Sequence, residues 1–227
     1  AGPRTLTMRI PLPTRPSMTL LTPDQLAAFL AAAAAITVAP GPDNLMVLSL
    51  GMARGRRAGV TFGLGCALGC LSHTALAALG VSALIAASPT AFTLLRWLGG
   101  AYLLWLGVQA IRNAGPAAAP GSVAGADDLR RLFVRGLLAN AVNPKVIVFY
   151  LAFLPQFVDA GRGGAGAQTV QLGVVFTLQA ALIFGAIGWF AGHVGRWLTR
   201  RPGAGAWMDR FAGAVFVALG ARLILVR

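Results

Sequence analysis

Charged residues are scarce in this sequence, and hydrophobic residues are abundant. Of the 227 residues, 11% are charged and 57% are hydrophobic. A soluble domain of this length would lack the polar surface that it needs in water. The composition therefore argues against a water-soluble protein and indicates a chain whose natural solvent is lipid.

Histidine and cysteine are almost missing, which limits the chemistry that the chain can perform. His73 and His193 lie in different apolar stretches, and neither a haem-attachment motif nor a nucleophile constellation is present. A membrane enzyme or electron carrier is therefore disfavoured, and we expect neither catalytic residues nor a cofactor. Cys66 and Cys70 are four residues apart and share one helix face, so no disulfide framework is indicated.

Acidic residues are also few, and the balance of charge is strongly basic. The chain has 6 acidic and 19 basic residues, which gives a formal net charge of +13. In a soluble protein this charge would suggest nucleic acid as a partner. Here the arginines lie between apolar runs, without the interleaved aromatic residues of a single-strand binder. We interpret them as topology signals and expect no nucleic-acid partner.

What is present is a series of six long apolar stretches. Each is long enough for the ~20 residues of a spanning helix, and they cover residues 24–53, 58–87, 91–111, 132–157, 168–195 and 207–226. A linker rich in Gly, Pro and Ala, residues 115–125, separates the third stretch from the fourth. The sequence predicts an all-α integral membrane protein with six transmembrane helices in one transporter domain, residues 18–227, with halves at about 18–114 and 127–227.

The first 17 residues have a different character. They carry several prolines and three arginines and show no helical period, so residues 1–17 are predicted to be a disordered extension. Thr22 can cap a helix whose first residue is Pro23, and this helix start lies just after Met18. We therefore expect translation to start at Met18. The alternative is a signal peptide whose apolar core is residues 27–38.

The arginines predict the orientation of the chain in its membrane. The second and fourth connections hold only Arg96 and Arg162. The first, third and fifth connections hold Arg54, Arg56, Arg57, Arg112, Arg130, Arg131, Arg135, Arg196, Arg200, Arg201 and Arg210. Basic connections stay in the cytoplasm, so both termini are predicted outside it. The arginines before Met18 disagree with this orientation unless translation starts at Met18.

Polar residues interrupt two of the six stretches. The first is broken by Pro40, Gly41 and Pro42, and they are followed by Asn44 and by Asp43, the one carboxylate deep inside a span. The fourth is broken in a similar way at Asn140, Asn143, Pro144 and Lys145, and Lys145 is the only lysine of the chain. In both, a helix is expected to restart at the proline that follows the break.

The two breaks lie about a hundred residues apart, in halves of three spans each. An odd number of spans per half inserts the halves in opposite orientations, as in transporters with inverted repeats and broken helices. We therefore predict two inverted three-helix repeats, with helices 1 and 4 broken. The repeat is inferred from hydropathy and from the matched breaks, because identity between the halves is slight.

A site built on these breaks would suit a zwitterion. Lys145 and the helix ends attract a carboxylate, and Asp43 attracts an ammonium group or exchanges protons as the coupling residue. Asn44 and Asn140 are expected to bond the substrate or freed carbonyls. The alternative is that Asp43 and Lys145 neutralise one another and only hold two bent helices in register.

Glycines recur at four-residue spacing in three of the stretches. Such small faces let helices approach closely in lipid, and they comprise Gly51, Gly55, Gly59, Gly63, Gly65, Gly69, Gly188 and Gly192. We favour packing within one chain, and a homodimer is the alternative.

The broken segments resemble the LysE/RhtB family of amino acid exporters. The motifs are Pro40-Gly-Pro-Asp-Asn44, Asn143-Pro-Lys145, Phe153-Leu-Pro-Gln-Phe157, Arg54-Gly-Arg-Arg-Ala-Gly59 and the segment Arg96 to Gly107. The resemblance implies a six-helix exporter driven by the proton gradient, whose relatives move lysine, arginine, homoserine, threonine or other small amino acids. The Pro-Gly-Pro-Asp form is more similar to the RhtB branch, which implies homoserine, its lactone or threonine.

Two other functions compete with amino acid export. Cys66, Cys70 and His73 lie along one helical surface and could serve a heavy-metal exporter. Against this, all three ligands come from one helix without an acidic partner, and cysteine often acts as a small apolar residue. A non-transporting membrane partner or sensor is the other alternative, but the chain has no soluble domain to pass on a signal.

Overall fold

The computed structural model describes residues 21–81, 88–115, 128–162, 164–201 and 203–225, and all regular structure in these ranges is helical. Its α-helices are α1 Pro23–Val38, α2 Pro42–Arg54, α3 Arg56–Leu76, α4 Pro89–Arg112, α5 Leu129–Ala141, α6 Pro144–Val148, α7 Ala165–Arg200 and α8 Gly203–Leu225. Short π- or 3₁₀-helical turns follow at Ala77–Val81, Phe149–Phe153, Leu154–Phe157 and Ala160–Arg162. The predicted extension, residues 1–17, and residues 116–125 of the linker lie outside the described ranges.

The first helix begins at the predicted cap. The Thr22 hydroxyl accepts from the amide of Gln25 at 3.3 Å, and the Gln25 side chain accepts from the amide of Thr22 at 3.2 Å. This reciprocal pair satisfies two amides that a helix start leaves free, and Pro23 sits where no amide is needed. The sequence signal and the local structure agree at this position.

Two helices are sharply bent where prolines interrupt the apolar stretches. α1 and α2 meet at 58° around residues 39–41, and α5 meets the segment Pro144–Phe157 at 49°. Each helix that follows a bend begins with proline, Pro42 or Pro144. Proline lacks the amide that would continue the preceding helix but suits the first position of a new one.

The described residues contain several helices that can cross a membrane. Arg56–Gly80, Thr90–Arg112 and Ala165–Arg200 are long and apolar enough by themselves, and the two bent pairs raise the number of candidate spans to five. The last predicted span, residues 207–226, coincides with α8, which has 23 residues. It is not among the candidate spans, and its charged residues Asp209, Arg210 and Arg222 lower its hydropathy. The chain is thus an all-helical membrane protein in its described part.

Small residues bring the helices together. A methyl group added at Gly59 would lie 2.9 Å from the Cα of Gly51 and 3.1 Å from the Cα of Gly188. α2, α3 and α7 therefore touch almost backbone to backbone. Gly63, Gly65 and Gly69 also face neighbouring helices, whereas Gly192 meets only the end of the Arg196 side chain. Gly55 has nothing near it, but its φ of +85° makes the turn from α2 to α3, which glycine adopts without strain.

Contacts between glycines and their neighbours fix the relative directions of the helices. α3 runs antiparallel to α7, because Gly59 meets Gly188 near one end and Thr74 meets Gly173 near the other. α4 runs antiparallel to α8, through the pairs Gly100 with Gly220 and Gly107 with Gly213. α3 runs parallel to α5, through Gly65 with Phe133 and Gly69 with Leu137. These directions are those of a chain that alternates up and down.

Candidate functional site

The first break frees carbonyl groups that side chains then satisfy. The Lys145 ammonium donates to the carbonyl oxygens of Ile36 at 3.2 Å and Ala39 at 3.1 Å. The Asn44 side-chain amide donates to the carbonyl of Thr37 at 2.8 Å. Carbonyls at a helix end need such partners inside a membrane. A positive charge at this end also interacts favourably with the negative end of the helix dipole. Lys145 thus ties α6 to the end of α1.

The second break is satisfied in a related way. The His73 Nε2 of α3 lies 3.1 Å from the carbonyl oxygen of Asn140, at the end of α5. The Asn143 side-chain oxygen accepts from the amide of Lys145 at 3.1 Å and caps α6, as the sequence predicts for this residue type. His73 is 3% exposed, so its ring belongs to the interior of the bundle.

Asp43 links the two breaks from the other direction. Its carboxylate is 2% exposed and accepts from the Asn140 side-chain amide at 2.8 Å. The Asn140 side-chain oxygen in turn accepts from the Cys70 thiol, with sulfur and oxygen 3.4 Å apart. A residue of each break therefore bonds to the other: Asp43 to Asn140, and Lys145 to the end of α1.

The acid and the lysine share one buried cavity without bonding to each other. Among the described residues, no ion pair joins Asp43 to Lys145 within 4.0 Å. The cavity measures about 10 Å³, which is room for about one water molecule and not for an amino acid. Its walls are Ile36, Thr37, Asp43, Cys70, Asn140, Lys145, Val146, Phe149, Phe176 and Phe184. The structure is therefore a closed form of this site.

The predicted site residues divide into two groups. Asp43, Asn140 and Lys145 line the cavity, whereas the remaining six shape the breaks beside it: Pro40, Gly41, Pro42, Asn44, Asn143 and Pro144. Among the second group, Gly41 leaves space for the lysine, because a methyl group added there would lie 2.8 Å from the Lys145 ammonium. The apolar wall residues were not predicted, since nothing in the sequence distinguishes them from other apolar residues of the spans.

In the part of the chain that the structure describes, two side-chain atoms at the breaks have no hydrogen-bond partner. They are the oxygen of Asn44 and the amide nitrogen of Asn143, on side chains that are 7% and 3% exposed. The Asn44 nitrogen and the Asn143 oxygen each make a hydrogen bond, so the atom without a partner is the oxygen in Asn44 and the nitrogen in Asn143. A buried polar atom without a partner costs about 1–3 kcal/mol. One unused acceptor therefore lies next to Asp43 in sequence, and one unused donor lies close to Lys145.

Aromatic rings separate the cavity from the end of the bundle at which α1 begins. Phe149 lines the cavity and stacks on Phe153 with ring centres 5.3 Å apart. Phe153 contacts Phe157 at 5.4 Å, and Phe157 contacts Phe29 of α1 at 5.3 Å. We call these four residues the phenylalanine column. We expect it to close one route between the cavity and the surrounding medium.

Glutamine side chains fasten the outer end of this column. The Gln168 side chain of α7, 2% exposed, donates to the carbonyl of Asp159 and accepts from its amide, both at 2.9 Å. The Gln25 side chain of α1 donates to the carbonyl of Phe157. We call Gln25, Phe157, Asp159 and Gln168 the glutamine cluster. It joins α1, α7 and the segment after α6.

The residues considered for a metal do not form a metal site. Within the described ranges, no group of three or more metal-ligating side chains is close enough to hold an ion. Cys70 and His73 instead bond to the side chain and the main chain of Asn140. Cys66 is fully buried as a free thiol. Cys70 and His73 therefore support the second break, and Cys66 packs in the interior of the bundle.

Known proteins resemble this chain over most of its length. The family model described as LysE type translocator matches residues 34–227. An uncharacterised membrane protein of Vibrio cholerae is 34% identical over 196 residues, which cover 85% of this chain and 93% of the relative. No solved structure matches the chain.

Two further relatives carry names that state a cargo. A leucine efflux protein of Enterobacter sp. is 30% identical over 188 residues, which cover 83% of this chain and 89% of the relative. A homoserine/homoserine lactone efflux protein of Salmonella typhimurium is 30% identical over 200 residues, which cover 88% and 96%.

Proposed function

The chain belongs to the LysE type translocator family, and we propose that it is a secondary exporter of amino acids in the bacterial inner membrane. The names of the leucine and homoserine efflux relatives support the cargo class and the direction of transport. Six spans in two inverted repeats are part of the proposal. The matched bends at 58° and 49° and the alternating helix directions support them, with α8 as the sixth span.

The observation that carries this proposal is the shared cavity of Asp43 and Lys145. Both charges are buried, and neither is neutralised by the other in an ion pair. Burying charged groups in a membrane interior is costly, so an acid and a base that share one site without a direct ion pair usually mark a pathway for a polar cargo. A free amino acid carries both complementary charges at a fixed separation.

In the proposed complex, Asp43 binds the ammonium group of the cargo and Lys145 binds its carboxylate. The unused oxygen of Asn44 and the unused amide of Asn143 lie at the breaks beside the cavity, and we expect them to become a further acceptor and a further donor for the cargo when the cavity widens. Asp43 is also the proposed site of proton exchange, because within the described ranges it is the only carboxylate that lines the cavity. Transport requires the cavity to widen, since its present volume excludes any amino acid.

The test is amino acid uptake by inverted membrane vesicles, with and without a proton gradient. Asp43→Asn should lower uptake at least about thirtyfold, because the cargo ammonium would lose its charged partner, and removing one member of a buried charge pair in a complex costs roughly 2–5 kcal/mol. Lys145→Gln should have a comparable effect. Asp24→Asn is the matched control, because this carboxylate is exposed in the first turn of α1. Normal uptake by both cavity variants would overturn the proposed site.

A further inference from the structure

The walls of the cavity differ sharply in polarity. The charged and amide groups, Asp43, Asn140 and Lys145, come from the two breaks. Most of the remaining wall is apolar, and it consists of Ile36, Val146, Phe149, Phe176 and Phe184. In the proposed complex the polar groups hold the ammonium and the carboxylate. The part of the cargo that differs between amino acids therefore meets aliphatic and aromatic side chains.

The two other wall residues carry polar atoms that are already in use. The Thr37 hydroxyl donates to the carbonyl of Ala33 at 2.8 Å and accepts from the Gln179 side chain at 2.7 Å. The Cys70 thiol donates to the Asn140 side-chain oxygen. Neither side chain has a proton left to donate. A hydroxyl on the cargo would lose its bonds to water and find few partners in this wall.

A cationic side chain on the cargo would bind less favourably in this cavity than one that carries a hydroxyl. Among the described residues, Asp43 is the only carboxylate that lines it, and the proposed complex already uses Asp43 for the ammonium group. A second positive charge on the cargo would lie near Lys145 without a counter-charge. Buried charges without a partner are strongly disfavoured.

From these walls we infer that the cargo is a neutral amino acid with an apolar side chain, such as leucine or methionine. This inference rests on the proposed function and narrows it. It differs from the expectation of homoserine or threonine that the Pro-Gly-Pro-Asp motif suggests. Sequence identity does not distinguish an apolar cargo from a hydroxyl-bearing one, because the leucine and homoserine relatives are both 30% identical to this chain.

The test compares the uptake of leucine, methionine, threonine, homoserine and lysine by inverted vesicles that contain the full chain. Leucine and methionine should exceed threonine and homoserine by roughly 10- to 100-fold in kcat/KM, which is the selectivity that an apolar pocket achieves against a hydroxyl. Lysine should not be taken up. If threonine, homoserine or lysine is taken up with a kcat/KM equal to that of leucine, the inference is wrong although the proposed function stands. If no amino acid is moved, the proposed function itself fails.

A substitution in the wall gives a second, independent measurement. Val146→Thr replaces one methyl group of a buried wall residue by a hydroxyl of similar size, so it should raise the ratio of threonine to leucine uptake several-fold. Val148→Thr is the matched control, because Val148 lies on the same helix outside the cavity wall, where it faces Gly99. An unchanged ratio in Val146→Thr, with protein present in the membrane, would contradict the inferred position of the cargo side chain.

Discussion

At the scale of single residues, His73 shows how the interior satisfies a broken helix. The sequence offered it only as a weak metal ligand. In the structure its ring lies against the carbonyl of Asn140, at the end of α5, and also contacts the ring of Tyr150 at 5.6 Å between centres. Asn140 bonds to Asp43 through its side chain. His73 therefore positions the residue that holds the buried acid.

Replacing His73 by leucine should destabilise the protein. The change keeps a side chain of similar size and removes the donor for a buried carbonyl, which costs roughly 1–3 kcal/mol. The expected result is a lower thermal unfolding midpoint of the purified protein in detergent. His73→Gln, which retains a donor, should recover part of the loss. His193→Leu is the control because His193 is exposed, and equal midpoints for the two leucine variants would contradict the role of His73.

At the scale of elements, the segment after the second break is the most irregular part of the described chain. Five residues of α6 are followed by a π-helical turn and then by a 3₁₀ turn that ends at Phe157. Such departures from α geometry often occur where a helix must change shape during function. The phenylalanine column and the glutamine cluster both belong to this segment in part. It is thus the element whose movement would open the cavity at that end.

Loosening the glutamine cluster should expose the cavity. Gln168→Ala removes two hydrogen bonds to Asp159. In a Cys66→Ser background, where Cys70 is the only thiol, maleimide should then label purified protein several-fold faster. The reason is that Cys70 lines the cavity and is fully buried in the closed form. Gln109→Ala on α4 is the control, and equal labelling of both variants would show that the cluster does not close this route.

Helix positions and breaks could be predicted from the sequence because their signals are local. The predicted first span, residues 24–53, begins and ends within one residue of the pair formed by α1 (Pro23–Val38) and α2 (Pro42–Arg54). The prolines mark the bend between these two helices. The cavity wall could not be predicted in this way. Phe149 follows α6, whereas Phe176 and Phe184 lie on α7, and only tertiary packing selects them from the other phenylalanines.

At the scale of the whole molecule, the distribution of arginine predicts which end of the bundle faces the cytoplasm. Arg57 follows the turn between α2 and α3, and Arg162 lies in the short turn before α7. Both side chains are exposed. The positive-inside rule assigns Arg57 to the cytoplasm and Arg162 to the opposite side.

Cysteine labelling in intact cells tests this orientation. In a variant without Cys66 and Cys70, Arg162→Cys should react with a membrane-impermeant maleimide, whereas Arg57→Cys should react only after the cells are permeabilised. Two residues of the same type and similar exposure serve as controls for each other. The reverse pattern would invert the proposed topology, and labelling of both positions in intact cells would contradict their placement on opposite sides of the membrane.

The bonds of Lys145 to Ile36 and Ala39 have a consequence for the energy of transport. Two of the three N–H donors of the Lys145 ammonium are used by these carbonyls, and in the proposed complex a cargo carboxylate that accepts from more than the third donor would compete with the main chain of α1. Cargo bound in that way would weaken the contact of Lys145 with α1, and release of the cargo would restore it. Such competition would disfavour conformational cycling of the empty carrier and the proton leak that accompanies it. The reason is that the contact between the two halves through Lys145 would be weakest when cargo is bound.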